Sequence, residues 1–447
     1  MLPWTLREVA ALANGRVLQG NPESLVTGVC HDTRNVRRGD LFTAIVGVRL
    51  DGHRFLGEAA RKGAKAALVS RKVGGVKIAQ VLVRDTTKAL GELGRAQRLQ
   101  WGGPVVAVTG SVGKTTVKDM TAHLLSGFRR TLKTEGNLNN QWGLPLTLLK
   151  LKKEHQATVV ELGINHPGEM EWLSEVARPD VAVVTAIGDA HLGFFRNKGH
   201  LAQEKLKIAS ALRSGGIKVL NGDDPYLKER GEKVITFGFK TGQVRASEIE
   251  PAGLGTQFVM EAQGERASTR LNLIGNHNVI NSLAAVSAGM ALGLPFKRLA
   301  ERLRTFVSGA PMRMEIRNVK GVLFINDAYN ASPTSMEAAL VTFEGLRGSN
   351  RKVAVLGDML ELGDFSKVTH TRVVRRALES GLDQVVLIGP RMREALRDLN
   401  GESKDKCHAF EKLPQAKLFL KSWVGKGDAV LLKASRGMRL EKMLEGF

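Results

Sequence analysis

Cysteine is nearly missing from this 447-residue chain: Cys30 and Cys407 are the only two, and they stand far apart. That spacing excludes a disulfide framework, a cysteine-based metal site and a Cys-x-x-Cys redox pair, and it fits a reducing cytoplasm. The neighbouring Cys407-His408 is read as incidental rather than as a nucleophile or ligand pair. No apolar run approaches the roughly eighteen residues that cross a bilayer. The segment MLPWTLREVAALANG has no basic stretch ahead of an apolar core, so no secretory signal is expected. Aromatic residues make up only 5%, which leaves few stacking platforms for single-stranded nucleic acid. Acidic residues are also in deficit, 44 against 66 Lys and Arg, for a net charge of +22. Such a charge suits polyanionic partners, but Arg37-Arg38, Arg129-Arg130, Lys152-Lys153 and Arg375-Arg376 are scattered and form no basic block. No nucleic-acid partner is expected. Multiply phosphorylated substrates or a solvated basic surface remain.

The length allows several domains at the usual size of about 100–200 residues each. Leu41–Val46 and Ala66–Val69 read as strands with a helix over His53–Lys62 between them, and a helix over Lys88–Gln100 leads to Gly102-Gly103-Pro104. From Val105 the pattern alternates strand and helix, with apolar runs at Ala157–Leu162, Val181–Ile187 and Ile217–Leu220. Gly242–Leu273 shifts toward antiparallel alternation, and Asn278–Leu292 is an alanine-rich helix. After Gly309-Ala310-Pro311 the α/β pattern resumes with Val322–Asn326, Lys352–Gly357, Gln384–Ile388 and Ala429–Lys433 as strands and Ser335–Leu346 as a helix. The expectation is an α/β protein of three domains. A small N-terminal α/β domain spans 1–85, a central domain with a phosphate loop and a mostly parallel sheet spans 86–309, and a Rossmann-like α/β domain spans 310–447.

The most informative stretch is Val105–Lys118, VVAVTGSVGKTTVK. Val105–Thr109 is short, β-branched and uncharged, as a buried parallel strand is. Gly110 and Gly113 let the backbone turn tightly, so that the N–H groups from Ser111 to Thr116 can surround a phosphate at a helix start. Lys114 can reach the terminal phosphates, and Thr115 offers a hydroxyl to Mg²⁺. The usual pattern places a glycine where Val108 stands here; Gly110 takes over the turn. The stretch predicts binding of a nucleoside triphosphate, with a chance strand–turn–helix as the alternative.

Other polar residues follow strands, where ligands of open α/β sheets gather. Glu161 ends Ala157–Leu162 and is placed to hold Mg²⁺; the competing reading is a helix-capping carboxylate. His191, in GDAHLGFF, follows Val181–Ile187 in the same way, although a lone histidine is usually structural. Lys205 lies in a predicted helix and by itself reads as a surface lysine. The amide-rich EGNLNNQWGLPLT, with Asn137 and Asn140, is either a shaped loop that holds phosphate or substrate, or a solvated turn. In NDAYNASP, Asp327 can accept both hydroxyls of a ribose and Asn330 can meet substrate, unless the loop only caps a helix. Lys433-Ala434-Ser435-Arg436 after the last strand can touch phosphate from the far side.

TGSVGKTT, NLNNQWGLPLTLL, ELGINHPGEM, GDAHLGFF, GNHNVINSLAA and NDAYNASPTSMEAAL occur in an order that resembles the Mur ligase superfamily, over nearly the whole chain. DTRNVRRGDLFTAIVGVRLDGHRF resembles that family's nucleotide-sugar segment. The resemblance implies an ATP- and Mg²⁺-dependent amide ligase of peptidoglycan precursor synthesis, cytoplasmic and monomeric. ELGINHPGEM and DAYNASP imply D-alanyl-D-alanine and UDP-N-acetylmuramoyl-tripeptide as its substrates. It further implies Lys114 on the β- and γ-phosphates, Thr115 on one Mg²⁺, and Glu161 with His191 on a second. Lys205 matches a lysine that several members carbamylate as a metal-supporting ligand. Asn281 is then expected to face adenine, Asp327 the ribose and Arg313 the phosphates. Thr33-Arg34 and Asp51-Gly52-His53 are expected beside the UDP-sugar.

Three departures stand out. Thr33 replaces the family's usual serine and keeps a hydroxyl. Glu204-Lys205-Leu206-Lys207 replaces Ala-Lys-Gly-Glu, so the acidic residue two places beyond the lysine is lost. His191-Leu192-Gly193 lacks the glutamate that often follows the leucine. The rival readings are a sibling ligase, extending folate with glutamate or adding a single amino acid, and a basic NTPase stimulated by nucleic acid. DAYNASP and the N-terminal DTR segment weigh against the first; the lack of an aromatic-studded basic face weighs against the second.

Overall fold

The computed structural model describes residues 3–189, 192–399 and 405–447. Three α/β units are built on sheets of five, nine and six strands, and a short pairing of Trp4–Thr5 with Leu25–Val26 extends the first. In the nine-stranded sheet the spatial order is Glu265–Leu271, Gly255–Ala262, Val244–Ala252, Val234–Gly238, Ile217–Asn221, Val181–Val184, Val105–Thr109, Ala157–Glu161, Thr131–Lys133. The strands from Thr131–Lys133 through Val244–Ala252 run parallel, and the two beyond them form antiparallel hairpins. Strand alternation divides Val105–Thr109 between two cores. Val106 and Val108 pack with helices Lys114–Leu125 and Asn276–Ala291, while Val105 and Ala107 face Leu144, Met170, Leu173 and Leu201. Covered on both faces, the strand is apolar up to Thr109, whose buried hydroxyl donates to Leu162 O, and polar chemistry is pushed to its carboxyl end.

The six-stranded sheet repeats the design without a glycine loop: Val322–Asn326, Ala429–Lys433, Lys352–Gly357, Gln384–Ile388 and Cys407–Phe410 are parallel, and Glu315–Val319 is antiparallel at one edge. In the five-stranded sheet, Gly28–Cys30, Asp40–Thr43, Ala66–Val69 and Ala79–Leu82 are parallel and Arg16–Gln19 closes the edge. Helix Thr86–Trp101 lies between this sheet and the central one. Gly91 leaves room for the Trp172 ring and Gly94 for Pro145. Arg98 is wholly buried at the far end of that helix. Its guanidinium donates to Ala177 O (3.1 Å), Arg178 O (2.9 Å) and the Asp180 carboxylate (2.8 Å). Burial pushes its pKa down to about 10 against the pull of Asp180.

Two expected strands are shorter than their apolar runs. Pairing of the first ends at Thr43, because Ile45 N–H turns back to Thr43 O (2.9 Å) and Gly52 N–H bonds Ile45 O (2.8 Å) to close a hairpin. The other ends at Val184, because Ile187 N–H donates to the Asp224 carboxylate (2.6 Å) rather than to a neighbouring strand. The expected helix over 53–62 is a 3-10 turn, Gly52–Phe55, followed by Leu56–Arg61. Thr131–Lys133, Val234–Gly238 and Cys407–Phe410 are strands the sequence reading passed over. Among the described residues, no helix is long and apolar enough to cross a membrane.

Candidate active site

Between the carboxyl edges of the nine- and six-stranded sheets lies a cavity of about 510 Å³. Its central wall is the glycine loop. Gly113 has φ +81° and begins helix Lys114–Leu125, and a Cβ there would strike Asn281 Oδ1. A Cβ on Gly110 would collide with Thr185 Oγ1, which donates to Val112 O and binds the loop to the end of the adjacent strand. Ser111 N–H donates to Ala186 O (2.7 Å) and its hydroxyl to Gly188 O (3.3 Å). Lys114 Nζ folds back onto Gly110 O (2.8 Å) and Ser111 O (3.3 Å), and the Ser111 N–H expected to face phosphate is instead bonded to Ala186 O. Desolvation lowers the Lys114 pKa, Glu161 opposes this, and Arg313 adds to it.

Glu161 is 2% exposed at the end of its strand. Thr115 Oγ1 donates to its Oε2 (2.8 Å) and Asn139 Nδ2 to its Oε1 (2.8 Å), while its own N–H donates to Thr134 Oγ1 (3.1 Å). The carboxylate is therefore gripped on both oxygens and caps no helix. Asn137 and Asn140 line the same cavity, but Asn140 Oδ1 is already an acceptor for Trp142 N–H (3.2 Å) and Gly143 N–H (2.9 Å). Asn139, between them, was not singled out by sequence; only its contact with Glu161 distinguishes it from its neighbours. Lys205 is 1% exposed, and its pKa lies well below the ordinary lysine value through burial and repulsion from Lys114. It is no surface lysine. The residue before it, Glu204, accepts from Gly168 N–H (2.8 Å) and Lys207 Nζ (2.6 Å). His191 lies outside the described residues.

The opposite wall comes from the last third of the chain. Asp327 accepts from Lys433 Nζ and from Met314 N–H (3.1 Å), and Lys433 Nζ also donates to Asn330 O (3.2 Å). The Arg313 guanidinium lies over the Tyr329 ring, 4.1 Å from its centroid. Asn281, Arg313, Asp327, Asn330 and Thr116 all line the cavity beside the glycine loop. So does His277, whose pKa burial lowers to about 4, Lys433 reinforcing and Asp327 opposing the shift. The two walls meet where Thr334 Oγ1 donates to Asp189 (3.1 Å), a carboxylate also paired with Lys198 (2.8 Å) and Arg372 (3.5 Å). Sequence reasoning passed over Asp189 because its partners are 145 residues away or on a different element.

The N-terminal residues form a separate group at the carboxyl edge of the five-stranded sheet. Arg34 pairs in a fork with Asp32 (Nε 2.9 and 3.0 Å), which holds the Asp32 carboxyl down to about 2, and Thr33 O accepts from Lys62 Nζ (3.0 Å). Asp51 caps the turn at His53 N–H (3.0 Å) and pairs with Arg71; the hydrogen bond to Arg71 is the main cause of its lowered pKa. His53 is 3% exposed with both ring nitrogens in use: Nε2 accepts from Ser70 N–H (3.0 Å), so Nδ1 donates to Asp51 (2.7 Å). His53 thus shapes the loop and presents no free ring nitrogen.

Comparison with known proteins bears on all three units. Residues 25–98 match the model described as "Mur ligase family, catalytic domain", residues 108–289 "Mur ligase middle domain", and residues 312–436 "Mur ligase, glutamate ligase domain". The chain is 35% identical to the UDP-N-acetylmuramoyl-tripeptide–D-alanyl-D-alanine ligase of Bacillus subtilis, over 100% of this chain and 98% of that one. It is 34% identical to the Escherichia coli ligase of the same name, over 99% and 98%. Among solved structures it is similar to a crystal structure of MurF from Acinetobacter baumannii, with TM-score 0.92, 35% identity and coverage of 99% and 98%. It is also similar to the MurF ligase of Thermotoga maritima in complex with ADP, with TM-score 0.83, 32% identity and coverage of 94% and 96%.

Proposed function

The chain belongs to the Mur ligase family, and from that premise we propose that it joins D-alanyl-D-alanine to UDP-N-acetylmuramoyl-tripeptide with conversion of ATP to ADP and phosphate. The observation that carries this reading is the two-walled cavity: a glycine loop with its lysine, a gripped carboxylate, and facing them an aspartate–lysine pair on a separate sheet. The division into a UDP-sugar-binding part (1–85), an ATPase part (86–309) and a ligase part (310–447) belongs to the same proposal. So does a monomer working in the cytoplasm without nucleic acid.

ATP spans the cavity in this reading. The loop N–H groups and Lys114 hold the β- and γ-phosphates, Asp327 the ribose, Asn281 the adenine side, and Arg313 the phosphates from the far wall. A tripeptide carboxylate oxygen attacks the γ-phosphorus, the bond to the ADP oxygen breaks, and an acyl phosphate forms. The amine of D-alanyl-D-alanine then attacks the carbonyl carbon, phosphate leaves, and the amine's proton is lost as the amide forms. Lys114 acts chiefly by position and charge, as phosphoryl transfer requires. Water must be kept from the acyl phosphate, a demand that a cavity closed by two domains meets.

Among the described residues, no three or more His, Cys, Asp or Glu side chains cluster to cage a metal. Mg²⁺ seldom needs such a cage, because it binds through one or two carboxylates together with substrate phosphates. The Thr115 hydroxyl and Glu161 carboxylate, already 2.8 Å apart, suit it as hard oxygen donors, and His191 and Lys205 are the residues we assign beside them. Bound with ATP, such an ion neutralises phosphate charge during transfer. Lys205, desolvated and repelled by Lys114, favours the neutral amine, the form that adds CO₂ to become a carbamate. Thr33, Arg34 and Asp51 are proposed to meet the UDP-sugar, with His53 holding Asp51, and Asn137, Asn140 and Asn330 to meet the peptide end.

The test is phosphate release from ATP, Mg²⁺ and UDP-N-acetylmuramoyl-tripeptide, with and without D-alanyl-D-alanine. Release that requires the dipeptide, with a product heavier by that unit, is expected. Release indifferent to it, or equal turnover with D-alanine alone, overturns the assignment.

A further inference from the structure

Lys118 is a lysine where lysine is rarely found: 2% exposed, one helical turn beyond Lys114, and directed away from the cavity. Its Nζ donates to Thr134 O (3.0 Å) and lies 3.2 Å from Asp119 Oδ1. Asp119 does not depend on it, since Lys133 Nζ reaches the same oxygen at 2.6 Å. What Lys118 alone provides is the tie to Thr134, and Thr134 has a second task. Fully buried just after the strand Thr131–Lys133, it donates its N–H to Val159 O (3.0 Å) and accepts Glu161 N–H on its hydroxyl (3.1 Å).

A chain of contacts thus runs from the helix behind the glycine loop, through Thr134, to the backbone of the one buried carboxylate that faces Thr115. Thr115 fixes Glu161 from the front and Lys118 fixes it from behind, and both stand on helix Lys114–Leu125 three residues apart. A carboxylate shared with a cation must sit within a fraction of an ångström of its working position, and outer partners supply that rigidity. We propose that Lys118 is a positioning residue for Glu161, setting the affinity of the site for divalent metal through Thr134 without touching nucleotide or metal itself. This rests on the assignment of Glu161 to the metal.

The experiment compares K118M, T134V and T134S with E161Q and the unaltered enzyme. Calorimetry measures ADP binding with and without Mg²⁺, and assays measure the Mg²⁺ concentration for half-maximal turnover. K118M keeps the aliphatic stem but not the donor, T134V removes the acceptor for Glu161 N–H, and T134S restores it. For K118M and T134V a rise of about tenfold in required Mg²⁺ and an equal loss of Mg²⁺-dependent ADP affinity are expected, with metal-free ADP binding unchanged and T134S close to the unaltered enzyme. An unchanged Mg²⁺ requirement in folded K118M overturns the inference, as does equal weakening of metal-free ADP. If K118M does not fold, K118Q, which keeps a donor on a shorter stem, takes its place, and a T134V enzyme with an unchanged Mg²⁺ requirement overturns the inference because the link through Thr134 is then idle. E161Q separates the two levels: a Mg²⁺ defect there without one in K118M or T134V refutes only the Lys118 relay. No defect in E161Q removes the metal assignment and the relay together.

Discussion

The nine-stranded and five-stranded sheets both end their parallel strands in polar loops, but they satisfy those side chains in opposite ways. At the central edge Glu161 is 2% exposed and Thr115 8%, and each is already bonded to a neighbour that belongs to the same site. At the N-terminal edge the Arg34 side chain is 84% exposed and Arg71 56%, so each guanidinium stays open to solvent beside its carboxylate partner. A subsite where phosphate is transferred needs groups fixed and desolvated before the reaction, because electrostatic stabilisation is strong only where water is excluded. A subsite that merely retains a nucleotide-sugar works with exposed charges that trade one anion for another. Under the proposed function, the carboxyl edges of two different parallel sheets thus serve two chemistries, and burial distinguishes them.

Breaking the central edge has the largest effect. Lys114→Ala is expected to lower kcat by about 10²–10³-fold or more with the fold intact, measured as phosphate release and thermal unfolding; near-normal turnover would remove the lysine from the transfer step. Lys205→Ala is next, an expected loss of about 10–100-fold. Formate or acetate should restore part of it by filling the space of a carbamate, and rescue is scored as rate against added carboxylate. The N-terminal edge should respond differently in kind: Arg34→Ala is expected to raise KM for the UDP-sugar peptide about tenfold while KM for ATP and kcat hold. Should Arg34→Ala depress kcat instead, the distinction between the two edges would collapse.

The smallest effect concerns the far wall. His277 has a folded pKa of about 4, below the ordinary 6.5, so between those values the unfolded chain takes up a proton that the folded chain refuses. Its contribution to stability is complete above pH 6.5 and is lost as pH falls toward 4. Unfolding free energy should drop by about 1–2 kcal/mol from pH 7 to pH 5, and His277→Gln should flatten that slope. Denaturant titrations at the two pH values measure it.

Much of this was legible in the chain. The phosphate loop declares itself because its residues are local: strand, glycine turn and helix follow one another within Val105–Leu125. DAYNASP was readable for the same reason, and Asp327, Asn330 and Arg313 do line one cavity with the loop. What escaped depends on distant pairing. Asn139 looks like Asn137 and Asn140 until Glu161, 22 residues on, selects it. Lys205 reads as a solvated lysine until burial is known. Thr131–Lys133 and Cys407–Phe410 are too short to show a period and become strands only by hydrogen-bonding to longer neighbours.

The buried Arg98 has a mechanical consequence. A swing about Gly102-Gly103 would drag helix Thr86–Trp101 off its seat and strand the buried Arg98 guanidinium without its three acceptors, at about 3–5 kcal/mol, while Asp180 would keep Val105 N–H and Arg213. At the other boundary Val307 is 74% exposed and Gly309 has open space about it, and the ties across it include the hydrogen bond of Thr334 and the ion pair of Arg372 with Asp189. The buried guanidinium thus locks the first two units into one stiff body, against which the last third is held through side chains closer to the surface.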